Sequence, residues 1–380
     1  MIKKPFRMAV VSDIHLGNRR TPAKLIIDNL NQHLTNDKVL AGVDILFLAG
    51  DVFDTILDFA SQEVGEILLW IARTLTLCRR HNVLLRVLEG TPSHDRNQSD
   101  RFMTIKAVFD MLDVRYEKMR YVNALEIEHI EEFGIDVLYL PDQWGVTPED
   151  DYDQVKKALA EKELNQVDFA IMHGAFEYQL PYPDAPSHNS QAYLDLVKYL
   201  IFIGHIHIRS ERDRIFAQGS FDRISHGEEK PKGYYIADIE TDGAYRVQFV
   251  ENTTAAVYRT LVNTHEDMVD TLLWLDEVLQ DHKEGDAIRL QARKDHPVFS
   301  NTAVLRERWP DFKWSFQPKD ADTEEKKSAK LIDHKTIYQP LHLNRSNLSN
   351  VLIERMSKQG VDEDLKKRCG TLIESAIASV

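Results

Sequence analysis

The sequence predicts an α/β (α+β) fold: two packed sheets flanked by helices, followed by a smaller βαβαβ unit and a pair of helices. Three observations carry this expectation. Apolar runs of strand length alternate with stripes at helical spacing from residue 1 to about 250. Five of those runs end in Asp, His or Gly. From residue 258 the alternation restarts on a smaller scale.

Taken in order, the runs Met8 to Val11, Ile45 to Ala49, Val83 to Leu88, Phe169 to Met172 and Tyr199 to Ile203 read as buried strands. Leu25, Ile26, Leu30 and Leu34 form one helical stripe, and Val64, Ile67, Leu68, Ile71 and Leu75 a second. Residues 102–112 and 155–164 read as further helices. Short strands then dominate: Ile215 to Ala217, Tyr234 to Ala237 and Tyr245 to Val250. Repeated βα units followed by a run of strands are what packed sheets flanked by helices require.

The smaller unit reads as strand Tyr258 to Val262, helix His265 to Leu279, strand Ala287 to Gln291, helix Thr302 to Trp309 and strand Phe312 to Phe316. Lys, Asp and Glu without apolar period make residues 320–335 a solvated linker. Leu348, Val351, Leu352 and Met356 share one helical face, with Gly360 as its C-cap. Leu365, Cys369, Leu372, Ile373, Ala376 and Ile377 form the next stripe. The expected boundaries are therefore 1–254, 255–319, 320–335 and 336–380. So little core must dock, on this chain or on a partner.

A hydrophobic content of 43% and a charged content of 28% are ordinary for a globular protein. Cys78 and Cys369 are far apart and lack metal-like spacing, so they read as reduced thiols of a cytoplasmic protein. No stretch approaches the roughly 18–20 apolar residues of a membrane span. The net charge of −14 argues against DNA binding by bulk electrostatics. Local cations or a partner would have to hold phosphates.

The chemistry is concentrated at the strand ends. Asp13 and His15 stand two apart after the first run, and Asp51 follows the second. His94 and Asp95 follow the third, His173 ends the fourth, and His205 and His207 follow the fifth. Ligands gather at such ends in α/β sheets. A mixed Asp/His set suits Mn²⁺, Zn²⁺ or Fe²⁺ better than all-oxygen cations. One carboxylate can bridge two ions, and a pair of ions can acidify a water for attack on phosphorus. A His beside the ions would then protonate the leaving oxygen; His94 is the candidate, with Asp95 expected to fix its tautomer. His188 and His226 lie in loops that could approach the same place.

In order, Asp13-Ile14-His15, Gly50-Asp51-Val52-Phe53-Asp54, His94-Asp95, His173-Gly174 and Gly204-His205-Ile206-His207 resemble the signature of the calcineurin-like metallophosphoesterases. Gly219-Ser220-Phe221-Asp222-Arg223, Gly227-Glu228-Glu229 and Lys232-Gly233-Tyr234 are similar to SbcD-type DNA repair nucleases in particular. The resemblance implies a four-layer αββα sandwich over residues 1–254, a DNA-capping domain over 255–319, and terminal helices over 336–380 that clasp an SMC-like ATPase. It implies two divalent cations per subunit, Mn²⁺ before Mg²⁺. Asp13, His15, Asp51 and His207 would hold one, Asp51, His173 and His205 the other.

It further implies a homodimer within a heterotetramer, acting as a 3′→5′ exonuclease on duplex DNA and an endonuclease on single strands, in a bacterial or phage-infected cell. Arg19, Arg20, Arg96 and Arg209 lie beside the motifs as candidate phosphate contacts. One departure stands out. The family carries Gly-Asn-His-Asp where this chain has Gly90-Thr91-Pro92-Ser93-His94-Asp95, so the Asn ligand is missing and two residues are added. Ser93 or Thr91 could substitute, Asn97 could fold back, or the second site could be weak. The competing functional readings are a phosphoesterase acting on a non-DNA substrate and a catalytically weak scaffold subunit of the ATPase complex.

Overall fold

A computed structural model describes residues 2–57, 61–182, 184–283 and 285–319, together with Lys366, Arg368 and Cys369. The chain divides into two units, Met1–Pro318 and Lys319–Val380. In the second, Lys366, Arg368 and Cys369 are helical. The linker and helical-pair expectations otherwise lie outside the described residues.

The strands run, in chain order, β1 (Phe6–Val11), β2 (Ile45–Ala49), β3 (Leu84–Leu88), β4 (Met119–Val122), β5 (Glu126–Ile130), β6 (Ile135–Leu140), β7 (Val167–His173) and β8 (Val197–Gly204). They continue with β9 (Ser210–Arg212), β10 (Ile215–Ala217), β11 (Gly233–Ile239), β12 (Tyr245–Glu251), β13 (Tyr258–Val262), β14 (Ala287–Arg293) and β15 (Lys313–Lys319). One six-stranded sheet has the order β12-β11-β1-β2-β3-β4, a second β5-β6-β7-β8-β10-β9, and a three-stranded sheet β13-β14-β15. Strands β1 to β4 pair in parallel, as do β6, β7, β8 and β10, whereas β5, β9, β11 and β12 are antiparallel.

The two large sheets face each other because their strands are apolar on both sides. In β2, Ile45, Phe47 and Ala49 enter the core between the sheets, against Val137, Tyr139, Phe169 and Phe202. Leu46 and Leu48 point the other way, with Ile26, Leu30, Ile67 and Ile71. Those last four belong to helices α1 (Ala23–His33) and α3 (Gln62–Arg80), the short α2 (Asp37–Leu40) lying between them in the chain. Helices α4 (Arg101–Met111), α5 (Pro148–Glu161) and α6 (Ser190–Leu196) follow. Val155 and Leu159 of α5 and Tyr193 and Leu194 of α6 cover the outer face of the second sheet. The result is the four-layer, mixed α/β arrangement expected.

Strands β4, β5 and β6 were not foreseen. Their alternation is broken by charge, as in Glu126–Ile130, where Glu128 bonds Arg86 of β3 at 2.7 and 2.8 Å. That bidentate pair ties the two sheets together, which explains an Arg inside an otherwise apolar run. Helix α5 begins earlier than its apolar stripe because Thr147 and Asp150 form a capping box with Pro148 in the first turn. In the smaller unit, α7 (Met268–Val278) and α8 (Thr302–Arg308) pack Leu275 and Leu305 against Ile288, Leu290 and Trp314. Helix α7 starts at Met268 rather than His265 because Asp267 is its N-cap. Cys78 is fully buried. Among the described residues no helix is long and apolar enough to cross a membrane.

Candidate metal centre

The six residues expected as ligands converge at one edge of the sandwich. Asp13 and His15 leave β1, Asp51 leaves β2, His173 closes β7, and His205 and His207 leave β8. Backbone bonds between loops fix this convergence. Asp13 N–H donates to Gly50 O at 3.0 Å, and both Ile14 N–H and His15 N–H donate to Asp51 O at 2.9 and 3.0 Å. His205 N–H donates to both Asp13 carboxylate oxygens, at 2.9 and 3.1 Å.

Two triads result: Asp13, His15 and His207, and Asp51, His173 and His205, each with one ligand atom apiece within 4.8 Å of the others. Asp51 faces both. Its Oδ1 lies 3.3 Å from His173 Nε2 and its Oδ2 3.8 Å from His15 Nε2. The imidazoles of His15 and His207 meet Nε2 to Nε2 at 3.0 Å. These are the donor types and spacings of a divalent-cation site, and the cluster could hold a metal ion.

The outer atoms of the rings support the same reading. His173 Nδ1 donates to Ala49 O at 2.9 Å, and His207 Nδ1 lies 3.0 Å from Glu228 Oε1. His15 Nδ1 stands 3.1 Å from Asp54 Oδ1 without hydrogen-bond geometry, so only His173 and His207 are tied in this way. Tying Nδ1 to a carbonyl or carboxylate fixes the tautomer that leaves Nε2 for an ion. Glu228 is itself anchored by Lys232 at 3.1 Å, and Lys232 also donates to His207 O at 2.8 Å. Burial would raise the Glu228 carboxyl, but His207 and Lys232 outweigh it and hold the pKa at about 2. At His173 burial works against charge, yet the Asp51 carboxylate lifts its pKa to about 10. A proton there supplies the positive charge that a cation would bring, so cation uptake should release protons.

Backbone strain falls on the same residues. Asp13, His15 and Asp51 adopt φ of 51°, 55° and 51°, and His205 reaches 99°. Each left-handed non-glycine residue costs about 1–3 kcal/mol and persists only where its surroundings over-determine it. Gly50 is required for its own reason: a Cβ there would meet His173 Nδ1 at 2.2 Å.

The segment after β3 differs from expectation in two ways. His94 Nδ1 lies 2.8 Å from Asp54 O, so the carbonyl of Asp54, not Asp95, orients the ring. His94 stacks edge-on to His15, with centroids 5.0 Å apart. Asp95 is fully buried and accepts from Phe53 N–H at 2.8 Å and Gly90 N–H at 2.7 Å. It clamps the two loops that carry Asp51 and His94. Asp95→Ala should therefore cost about 3 kcal/mol, because two buried N–H groups lose their acceptor. Urea unfolding measures this, and an unchanged midpoint would refute the clamp.

Ser93 is exposed, and its carbonyl accepts from Arg96 Nε at 3.1 Å. Thr91, not Ser93, stands in the second triad. Its hydroxyl lies 3.2 Å from Asp51 Oδ2, 3.3 Å from His173 Nε2 and 3.1 Å from His205 Nδ1. Asp54 and Glu228 were also missed as site residues, although each sits inside a quoted motif; the signal was a carboxylate next to Phe53 and next to Gly227.

Of the arginines, Arg19 and Arg20 are exposed in the loop after His15. Arg96 is exposed, and Arg209 is stacked 4.3 Å from the Phe249 ring. His188 packs against Gly174, and His226 stacks edge-on to Tyr258 at 5.1 Å. Beyond Thr91, a cleft of about 480 Å³ is lined by Glu89, Pro92, Arg96, Asn97, Asp142 and Trp144. Trp144 is 78% exposed.

No family model matches the chain, and no curated protein matches it. Solved structures do. One is 13% identical, covering 64% of this chain and 99% of its own, with a TM-score of 0.35. Another, TT1561 of Thermus thermophilus, is 11% identical over 64% of this chain and 99% of its own, with a TM-score of 0.37. Likeness at that level carries no functional argument.

Proposed function

We propose that this chain is a metallophosphoesterase of the SbcD-like kind, a metal-dependent DNA nuclease subunit that works with an SMC-like ATPase. The observation that carries the reading is the pair of Asp/His triads with Asp51 of one also facing His15 of the other, and with the Nε2 atoms of His15, His173 and His207 turned inward. Two cations held there, Mn²⁺ as the resemblance implies, would supply Lewis acidity to a phosphodiester and an acidified water.

The chain's own residues do the rest. Asp13, His15 and His207 would hold one ion, His173 and His205 the other, and Asp51 would stand between them. His94 is kept in one tautomer by Asp54 O, with Nε2 available to hand a proton to the leaving oxygen. The exposed Trp144 on the neighbouring cleft offers a ring face for a nucleobase, at the cost of leaving an indole in water. The β13-β14-β15 unit is proposed as the part that caps the DNA and residues 336–380 as the part that binds the ATPase, because hydrolysis of a small ester needs neither.

The test is cleavage of linear duplex and single-stranded circular DNA with Mn²⁺, beside turnover of a nitrophenyl phosphate monoester. Mn²⁺-dependent DNA degradation abolished by chelator is expected. Rapid monoester turnover without DNA cleavage would instead favour a small-molecule phosphoesterase.

A further inference from the structure

We propose that the Thr91 hydroxyl completes the shell of the second cation, in the place where the resembling nucleases carry an Asn amide. The inference rests on the assignment of the two triads as cation sites. Thr91 Oγ1 lies 3.1 to 3.3 Å from three ligand atoms, Asp51 Oδ2, His173 Nε2 and His205 Nδ1. Donors about 2.1 Å from a common ion stand about 3.0 Å apart along an octahedral edge and about 3.4 Å apart along a tetrahedral one. The separations from His173 Nε2 and His205 Nδ1 fall in that interval, while Asp51 Oδ2, at 3.2 Å, is the oxygen turned toward His15 and the first ion. Asp51 Oδ1 and His173 Nε2, at 3.3 Å, share the same spacing.

The backbone presents the hydroxyl rather than leaving it to chance. Thr91 N–H donates to Asp51 Oδ1 at 2.6 Å, and Thr91 O accepts from His94 N–H at 2.8 Å and Asp95 N–H at 3.0 Å. Gly90 permits the approach, since a Cβ there would stand 2.0 Å from Asp51 N. Thr91 thus directly follows Gly90, as the family's Asn follows its Gly. The two added residues, Pro92 and Ser93, are taken up on the far side of it. A hydroxyl oxygen is a poorer neutral donor than an amide oxygen, so the second ion should bind more weakly than the first.

Mn²⁺ titration of the full chain, followed by calorimetry and by the magnetic resonance signal of a coupled ion pair, tests this. Wild type should take up two ions. Thr91→Val keeps the shape and removes the oxygen; it should leave the first ion unchanged and weaken the second by at least about tenfold. Thr91→Ser should keep two ions, and Thr91→Asn should bind the second at least as tightly as wild type. Should Thr91→Val not fold, Thr91→Ala against Thr91→Ser makes the same comparison. Equal second-ion affinity with and without the hydroxyl, or a wild type that binds a single ion, overturns the proposal. The nuclease reading fails separately: two Thr91-dependent ions with no DNA cleavage leave this assignment standing, while cleavage with Thr91-independent ions removes it alone.

Discussion

Asp51→Asn should empty both cation sites at Mn²⁺ concentrations that saturate the wild-type protein. The carboxylate gives one oxygen to each triad, Oδ1 toward His173 and Oδ2 toward His15. An amide keeps one oxygen and replaces the other with an NH₂ group, which turns two donors on whatever cation lies there. Losing an outer partner of a metal ligand costs roughly 10–100-fold in affinity. Removing the bridging ligand should cost more than that at each site. The fold should survive, because the Asp51 backbone carbonyl still accepts from Ile14 and His15, and an Asn amide oxygen can still accept from Thr91 N–H. The wild-type carboxyl is well prepared to bind cations: burial opposes its charge, but His173 and His15 hold its pKa well below the usual carboxylate range. Calorimetric titration with circular dichroism as the fold control decides the matter. Retention of two ions at wild-type affinity would mean that Asp51 bridges nothing.

His94→Gln should lower kcat by about 10² to 10⁴-fold with KM and ion stoichiometry little changed, the range expected for loss of a general acid. The distinction matters because His94 also approaches His15 and Asp54 closely enough to form a third ligand group. A ligand role and a proton-donor role predict different things. Loss of an ion in the variant would make His94 a ligand. Loss of rate with both ions in place would make it the acid. A leaving group that departs without a proton, such as nitrophenolate, should recover much of the lost rate only in the second case. Wild-type rates on DNA would leave His94 with no part in the chemistry and would favour the scaffold reading.

Much of the site was legible in the chain because strand ends are a one-dimensional signal. An apolar run closing on Asp or His needs no partner to be recognised, and eight such residues appear at five run ends. They meet in space because parallel strands of each sheet present their C-terminal ends together. Asp95 shows where that signal stops. Its place beside His94 suggested a pair, yet its carboxylate turns back to Phe53 and Gly90 N–H groups. Adjacent side chains do not choose each other when a buried backbone donor elsewhere has no alternative acceptor.

By itself, the sequence determined the layered α/β class, marked Asp13, His15, Asp51, His173, His205 and His207 as candidate donors, and showed the interruption of the third motif. Tertiary structure alone decided which residue occupies that interruption, since Thr91 and Ser93 offer the same hydroxyl and differ only in where the turn after Gly90 places them. It also brought in Glu228 and Asp54, each reaching its imidazole through a fold contact that spacing does not encode. Composition and periodicity record what each residue offers. Which offers meet is fixed by backbone geometry across loops tens to hundreds of positions apart, and here that geometry includes left-handed turns at four of the donors.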